Sequence, residues 1–323
     1  MKYSILFTIF LILFTSCQDD LEIPDTGRKI VINGLITTDS LLNVDISRSA
    51  YITNVREYVF RSDLDNAEVC FYQDDVRMDS LYHSILYVYS GGVFFTGNYC
   101  SKSVYPLPGK QYKIVVKAPG LPDATATTII PDLVRIERVD TSRIILTTTS
   151  TNRSYRMTYN IEFTDPVNET NYYLFNVCRK PRSRSYSNNI SFDCSDPIVE
   201  EELKDNNLIY GIAFSDKIIN GKKYSLTITV DGNWLSSYSY KFPHTVDDYM
   251  KDNYIDNKKT YYFNLYSIPE EYFKYIQTMN LYFERQGNPL YEPVMVYSNV
   301  TGGYGIFAGA AVSTDSVVFT FPN

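Results

Sequence analysis

A cysteine near the N-terminus carries the clearest chemical signal in this sequence. Residues Phe14-Thr15-Ser16-Cys17 end a short apolar run, Ile5 to Phe14, and Lys2 precedes that run. The run is too short for a permanent membrane helix, and this order of charged, apolar and small residues is typical of a signal peptide. We predict that residues 1–16 are a lipoprotein signal peptide and that palmitate-type acyl chains are attached to Cys17. The alternative is an ordinary secretory signal with a cysteine at its cleavage site.

The predicted anchor implies a membrane partner. Each buried methylene of an acyl chain adds about 0.8 kcal/mol to membrane binding, so several chains hold a protein firmly. Residues 17–28 are polar and acidic and contain Pro24 and Gly27, so we predict a lipidated tether. No second apolar stretch approaches the length of a membrane helix, which predicts a soluble body on that tether.

Four further cysteines could form cross-links, namely Cys70, Cys100, Cys178 and Cys194. An even number of cysteines in an exported chain predicts two disulfides. The simplest of the three possible pairings is Cys70–Cys100 with Cys178–Cys194, because each bridge then stays inside one proposed domain. A zinc site is the alternative, but the chain has no C-x-x-C pair and only two histidines, so we predict no metal.

Other residue patterns give no support to catalysis. The chain lacks a G-x-S-x-G motif, and neither His83 nor His244 lies in a recognisable catalytic motif. The acidic residues between Asp247 and Asp256 do not have the spacing of a calcium loop. Residues Gly302–Gly305 have no following lysine for phosphate binding. We therefore predict a protein that is not an enzyme and needs no cofactor.

Composition narrows the class of partner. The net charge is −7 and the basic residues are scattered, whereas nucleic-acid binding needs a concentrated basic face, so we predict no nucleic acid as a partner. The chain contains 30 tyrosines, which suit half-buried strands. A surface on which sugars or peptides stack is the alternative explanation for them.

Alternating patterns predict a mostly β protein with two domains. In residues 29–131, short strands separated by Gly91-Gly92 and Pro108-Gly109 indicate a β-sandwich of immunoglobulin-like or transthyretin-like type. The predicted strands there are Lys29–Thr37, Asn43–Ser49, Ala67–Gln73, Ser84–Tyr89, Val93–Asn98, Gln111–Lys117 and Ala124–Ile130. Residues 132–323 form a second β-rich domain, with strands Tyr155–Phe163, Asn171–Cys178, Leu208–Phe214, Lys223–Val230 and Thr260–Ser267.

One amphipathic helix is expected near residues 268–286. Ser267-Ile268-Pro269-Glu270 has the form of a capping box, and Gly287-Asn288-Pro289 would end the helix. Apolar residues recur between these signals at helical spacing, at Tyr272, Ile276, Met279 and Phe283.

A glycine-rich segment after the helix is our candidate partner loop, made of Asn299, Gly302, Gly303, Tyr304 and Gly305. Glycines allow positive φ or close approach to another chain, which a recognition loop can use. The alternative is a structural turn whose Ile306 and Phe307 fill the core of the second domain against the helix.

The C-terminal stretches Gly287–Val294, Tyr297–Val300 and Gly302–Gly309 resemble a lipoprotein family of Bacteroidota, catalogued as domain-of-unknown-function family 4249. Val31–Ile36, Asn66–Val69, Pro108–Tyr112 and Asp216 with Gly221–Tyr224 agree with it. The resemblance implies an outer-membrane lipoprotein, often encoded near TonB-dependent receptors. It carries over no catalytic residue, because the family has no agreed activity.

These observations lead to an expected location and function. Gln18-Asp19-Asp20 looks like the surface-export signals of lipoproteins in that phylum, so we expect the cell-surface side of the outer membrane over its periplasmic face. We expect an accessory binding component associated with a TonB-dependent receptor in nutrient capture. The alternatives are a surface hydrolase acting on glycan or peptide, and a structural or adhesive surface lipoprotein.

Overall fold

The computed structural model describes residues 27–50, 64–84, 98–148, 152–167, 169–179, 189–199, 211–236, 258–286 and 291–321. The predicted signal peptide, Cys17, most of the tether, His244 and the acidic run 247–256 lie outside these residues. So do most of the strands predicted at 84–89 and 93–98, and the residues predicted to end the helix.

The protein is mostly β, with one helix among the described residues, as the sequence patterns predicted. The helix, α1, spans Glu270–Arg285. The strands are β1 (Ile30–Thr37), β2 (Asn43–Arg48), β3 (Glu68–Gln73), β4 (Val76–His83), β5 (Tyr99–Cys100), β6 (Gln111–Lys117), β7 (Ala124–Ile129), β8 (Ile136–Thr148), β9 (Asn152–Thr164), β10 (Tyr172–Cys178), β11 (Gly211–Ser215), β12 (Lys223–Ser236), β13 (Lys258–Ile268) and β14 (Tyr304–Thr320).

The described strands form two sheets. Eleven strands pair in the order β11-β10-β13-β14-β1-β2-β5-β4-β3-β6-β7, and the other three pair as β12-β9-β8. The larger sheet curls, because β7 returns to the segment that precedes β14 through a backbone bridge between Thr125 and Thr301. The result is a sandwich-like arrangement in which the smaller sheet packs on the C-terminal part of the larger one.

Strand β14 belongs to both halves of the molecule. Its first residues, Tyr304–Ala310, pair in parallel with β1, and the later part from Ala311 pairs antiparallel with β13. Successive side chains of a strand point to opposite faces, so Ile306 enters the C-terminal core while Phe307 enters the N-terminal core. The alternative interpretation of the loop, in which both side chains fill the core of the second domain, is therefore wrong for Phe307.

The buried apolar residues form two hydrophobic clusters, and the boundary between them in the sequence lies near Pro131. The first contains residues between Ile30 and Ile130 together with Phe307 and Ala311. The second contains residues from Val134 to Phe321 together with Leu35. Many tyrosines are core residues, and five of the tyrosines that the structure describes are fully buried, namely Tyr99, Tyr112, Tyr159, Tyr173 and Tyr272. Packing on strands and on the helix, not surface stacking, therefore accounts for these five.

Helix α1 covers one face of the larger sheet. Its buried residues include Tyr272, Phe273 and Ile276, and the Phe273 ring lies 4.8 Å from the ring of Tyr172 on β10. The predicted capping box is wrong. Ser267 lies within β13, where its Oγ accepts a hydrogen bond from the backbone N–H of Val134 (3.2 Å), and the helix begins after Pro269 without a side-chain cap. No helix in the described part of the chain is long and apolar enough to cross a membrane.

Candidate functional site

The three-stranded sheet has one apolar face and one polar face. On β9 the buried residues alternate with polar ones, which therefore point away from the core. The inward set is Tyr155, Met157, Tyr159, Ile161 and Phe163, and the outward set is Ser154, Arg156, Thr158, Asn160 and Glu162. Residues paired across neighbouring strands share a face, so β8 and β12 extend this polar surface.

Hydrogen bonds and ion pairs order the polar face. The hydroxyls of Thr158 and Thr229 lie 3.3 Å apart, on the neighbouring strands β9 and β12. At the end of this face where β8 begins, Lys223 Nζ lies 3.0 Å from carboxylate oxygens of both Glu137 and Glu162. Hydrogen bonds from the Thr164 hydroxyl and then from Lys223 lower the pKa of the Glu137 carboxyl, and the hydrogen bond from Lys223 lowers the pKa of the Glu162 carboxyl. Partners across the strands thus hold these polar side chains in place.

A groove of about 530 Å³ lies at the opposite end of this face. It crosses all three strands, because its lining comes from two adjacent rows of the sheet. One row is Ile145–Arg156–Asp231, and the other contains Thr147, Ser154 and Asn233. Tyr155 and Gly232 complete the lining.

An ion pair between an arginine on β9 and an aspartate on β12 lies in the groove. Arg156 donates from Nε to Asp231 Oδ1 (2.8 Å) and from Nη2 to Asp231 Oδ2 (2.7 Å). These hydrogen bonds lower the pKa of the Asp231 carboxyl and raise the pKa of Arg156. Both side chains remain largely exposed, so the pair adds only about 0–1 kcal/mol to stability. Its consequence is geometric, because a cation and an anion are held at set positions in the groove.

Close packing fixes the floor beneath the pair. Gly232 leaves room for the ring and hydroxyl of Tyr155, which occupy the space that a Cβ at position 232 would need. The Tyr155 hydroxyl then hydrogen-bonds to the hydroxyl of Tyr261 on β13. This contact joins the two sheets directly below the groove.

A half-buried lysine, Lys259, contacts two residues that line the groove, Asn233 and Tyr155. Lys259 Nζ donates to the backbone carbonyl of Asn233 (2.6 Å) and lies 5.0 Å from the ring centroid of Tyr155 and 5.7 Å from that of Phe321. Burial, and then the charge of Arg179, lowers the pKa of Lys259. The groove therefore has a pre-formed wall, which reduces the cost of ordering it when a ligand binds.

The groove and the tether lie at opposite ends of β14. At the start of β14, Lys29 lies 5.0 Å from the ring centroid of Tyr304, next to where the chain enters β1 from the tether. At the other end, the Phe321 ring lies 5.0 Å from that of Tyr155 in the groove. The 17 residues of β14 span about 50 Å at the usual rise of a strand.

The candidate partner loop is built into the N-terminal half. The Asn299 side chain donates to the carbonyls of Phe307 (2.7 Å) and Thr127 (3.2 Å) and accepts from the N–H of Phe307 (3.0 Å). Gly302, Gly303 and Gly305 each lie so close to a backbone carbonyl of β1 or of the segment before β7 that a Cβ would collide with it. These glycines therefore serve contacts within the chain. The Tyr304 side chain is 42% exposed, so a partner can reach it.

The predicted cysteine pairs are not joined by disulfide bonds in the described part of the chain. Cys70 on β3 and Cys100 on β5 have β4 between them, and two strand spacings amount to about 10 Å, beyond the roughly 7 Å that a disulfide spans. Cys178 accepts a hydrogen bond from Asn264 on β13, whereas Cys194 donates to the carbonyl of Thr227 on β12, in the other sheet.

Of the two histidines considered for catalysis, His83 lies in the described part of the chain and His244 does not. His83 ends β4, where its ring packs edge-on against Tyr99 at 5.4 Å, on the sheet of the N-terminal core. No group of three or more His, Cys, Asp or Glu suited to a metal occurs within the described ranges. The groove instead offers hydroxyls, an amide, a guanidinium and a carboxylate, which is the chemistry of a binding surface for polar groups.

Sequence reasoning missed the groove because it missed β8. The sequence of β8, IERVDTSRIILTT, lacks strict alternation, and its pairing with β9 is irregular at two points. The regular alternation of polar residues from Ser154 to Thr164 is the signal that could have indicated a solvent-facing sheet surface.

Comparison with known proteins agrees with the resemblance noted in the sequence. A family profile described as a domain of unknown function, DUF4249, matches residues 18–316, which include the lining of the groove, the loop 299–305 and the whole N-terminal core. No curated protein matches the chain. The chain therefore belongs to the DUF4249 family.

Proposed function

We propose that the protein is an outer-membrane lipoprotein, anchored through Cys17 and displayed on the cell surface, that acts as an accessory binding component of a TonB-dependent receptor in nutrient capture. The observation that carries the proposal is the position of the groove, about 50 Å along β14 from the point where the tether enters. A binding surface at that distance is turned away from the lipid anchor and is open to a partner.

The length of the tether suits this arrangement. Residues 17–28 reach at most about 40 Å when fully extended, and they join the body at the Lys29 end of β1. The anchor therefore restrains the end of the molecule opposite the groove. The signal in Phe14–Cys17 and the membership of the DUF4249 family support the same assignment.

Replacing Cys17 tests the anchor. Cys17→Ala should leave the protein unlabelled by an alkyne fatty acid, either released from the membrane fraction or retained as an uncleaved precursor. Cys194→Ala is the matched control, because it removes another cysteine, and it should stay labelled and membrane-bound. Fatty-acid incorporation into the Cys17→Ala protein would contradict the assignment.

A charge reversal in the groove tests the role of this surface. Arg156→Glu breaks the pair with Asp231, so it should lower co-purification of a TonB-dependent receptor with the lipidated protein by about tenfold or more. Arg138→Glu is the control, because Arg138 has similar exposure and ion pairs on the same sheet but lies outside the groove. Equal loss in both variants would remove the groove from the proposal, and absence of any receptor with the unaltered protein would refute the receptor association.

A further inference from the structure

The edges of the two sheets differ in how they are protected. An edge strand presents a row of unpaired backbone N–H and C=O groups, which another chain can bind, and proteins usually cover, shorten or charge such edges. Within the described residues the four edge strands are β7 and β11 in the larger sheet and β8 and β12 in the smaller one.

Three of these edges are covered or short. On β7, Thr125 exchanges two backbone hydrogen bonds with Thr301 (2.9 and 2.8 Å). On β12, Thr229 exchanges two with Asp193 (2.8 and 2.9 Å), and the Asp196 carboxylate accepts from the N–H of Thr227 (3.1 Å). Strand β11 has only five described residues.

Within the described residues, neither a covering segment, a register shift nor a charged residue protects the second half of β8. Its first half contains two register shifts, between Ile136 and Arg138 and between Thr141 and Arg143, and several charged residues. Residues Ile144–Thr148 are uncharged and pair regularly with β9. In the described structure no other backbone hydrogen bond reaches this stretch. Its apolar side chains are exposed, at 43% for Ile144, 37% for Ile145 and 38% for Leu146.

The two faces of this open edge differ in polarity. Ile144 and Leu146 pair with Met157 and Tyr155, so they lie on the core side of the sheet. Ile145 and Thr147 line the groove on the other side, next to the Arg156–Asp231 pair. A strand added to this edge would therefore meet apolar side chains on one face and polar, charged groups on the other.

We propose that Ile144–Thr148 is a strand-addition site for an extended segment of a partner protein, with apolar and polar side chains in alternation. The segment extends the three-stranded sheet by one strand, so its backbone provides affinity and its alternate side chains provide selectivity. Its apolar side chains pack beside Ile144 and Leu146, and its polar side chains face the groove. This inference rests on the proposed binding function and names the partner class for the same site.

A second copy of the chain fits this edge less well. Two identical strands that pair antiparallel are related by a two-fold axis, which reverses the direction of the second β8. The tether of that copy would then enter on the other side of the shared edge, about 50 Å from that edge along its own β14. Two copies anchored in one membrane are thus poorly placed to pair through β8.

A defined peptide tests the site without the receptor. The probe is a fluorescein-labelled nine-residue peptide in which threonine alternates with isoleucine or valine between terminal lysines, titrated against the full lipidated chain in detergent. We expect saturable binding by fluorescence anisotropy and a loss of about tenfold or more with Leu146→Lys, because a charge at an edge opposes strand addition. Ile129→Lys is the matched control, because Ile129 is an exposed apolar residue on the covered edge strand β7. The affinity of this variant for the peptide should stay within about twofold of that of the unaltered protein.

Backbone methylation separates strand addition from general apolar contact. Two forms of the peptide carry N-methyl groups on alternate residues, one form on the odd positions and the other on the even positions. Since only one set of N–H groups faces β8, one form should lose binding by about tenfold or more and the other should keep it. Equal binding by both forms, or no binding of the parent peptide, would overturn the proposal.

Two further readouts keep the result unambiguous. An unchanged melting temperature of Leu146→Lys shows that lost binding is not lost folding. A dimer in analytical ultracentrifugation that Leu146→Lys converts to monomer would identify a second copy as the occupant and refute the proposal. Failure of the peptide assay leaves receptor co-purification as an independent test, so the two proposals can fail separately.

Discussion

The strongest test of the loop 299–305 is the substitution Asn299→Ala. The amide of Asn299 takes the place of a neighbouring strand at the first half of β14, since it bonds both the N–H (3.0 Å) and the carbonyl (2.7 Å) of Phe307. Phe307 is fully buried in the N-terminal core. Alanine would leave both of these backbone groups without their partner, and would also remove the bond to the carbonyl of Thr127.

The expected cost is about 2–4 kcal/mol of the free energy of unfolding. A buried backbone group that loses its partner costs about 1–3 kcal/mol, and two such groups are affected at Phe307. Asn299 is itself partly exposed, so water can enter and recover part of that cost. The carbonyl of the exposed residue Thr127 can bond to water and adds little.

Urea denaturation followed by circular dichroism measures this change, with the free energy extrapolated linearly to zero denaturant. Ser298→Ala is the control, because its exposed hydroxyl only accepts from the N–H of Val300 (3.3 Å), and it should cost less than about 0.5 kcal/mol. If Asn299→Ala costs no more than this control yet abolishes receptor co-purification, the structural reasoning is refuted and the loop is a recognition site.

Three other substitutions have clear expected outcomes. Gly305→Ala should prevent folding or destabilise the protein by several kcal/mol, because Gly305 has φ +104° and its new Cβ would collide with the carbonyl of Ile32; a soluble variant with unchanged thermal melting would contradict this. Tyr272→Phe should stabilise by about 1 kcal/mol in denaturant titration, because the buried Tyr272 hydroxyl has no hydrogen-bond partner in the described structure; a loss of stability would reveal a partner. Burial raises the pKa of Asp165, so its carboxyl binds a proton more readily in the folded state. The contribution of this group to the free energy of unfolding is therefore largest at acid pH and decreases as the pH rises from the usual carboxyl range through the raised pKa. Asp165→Asn lacks this titration, so its stability relative to the unaltered protein should improve between about pH 3 and pH 7, and a constant difference across that range would refute it.

Several elements could be predicted from the sequence because their signals are local. Strand β6, Gln111–Lys117, alternates buried and exposed residues, and the structure reproduces its predicted bounds. Helix α1 follows from apolar residues at helical spacing, and it lies within the predicted 268–286 range. The failed capping box has a local pattern too, but Ser267 pairs with Ala311 in the sheet, and that pairing outweighs the cap.

Other features could not be predicted because they depend on partners distant in the chain. The segment Tyr304–Thr320 contains two glycines and reads locally as a turn followed by a strand, yet it forms one strand that serves both cores. Gly305 is required by the close approach of β1, which begins at Ile30, far away in the sequence, and Gly309 by the side chain of Ile130. Nothing in either segment alone specifies this parallel pairing.

The sequence by itself determined the mostly β class, the position of the helix and the expected site of lipidation at Cys17, because each depends on residues that lie close together in the chain. Only the tertiary structure decided which strands are neighbours. That choice separates Cys70 from Cys100 by β4, assembles the groove from β8, β9 and β12, and places Ile144–Thr148 at a sheet edge that no other described strand pairs with. Alternation tells which face of a strand is buried, but backbone hydrogen bonds are alike for every residue, so the choice of neighbour depends on how the whole chain packs.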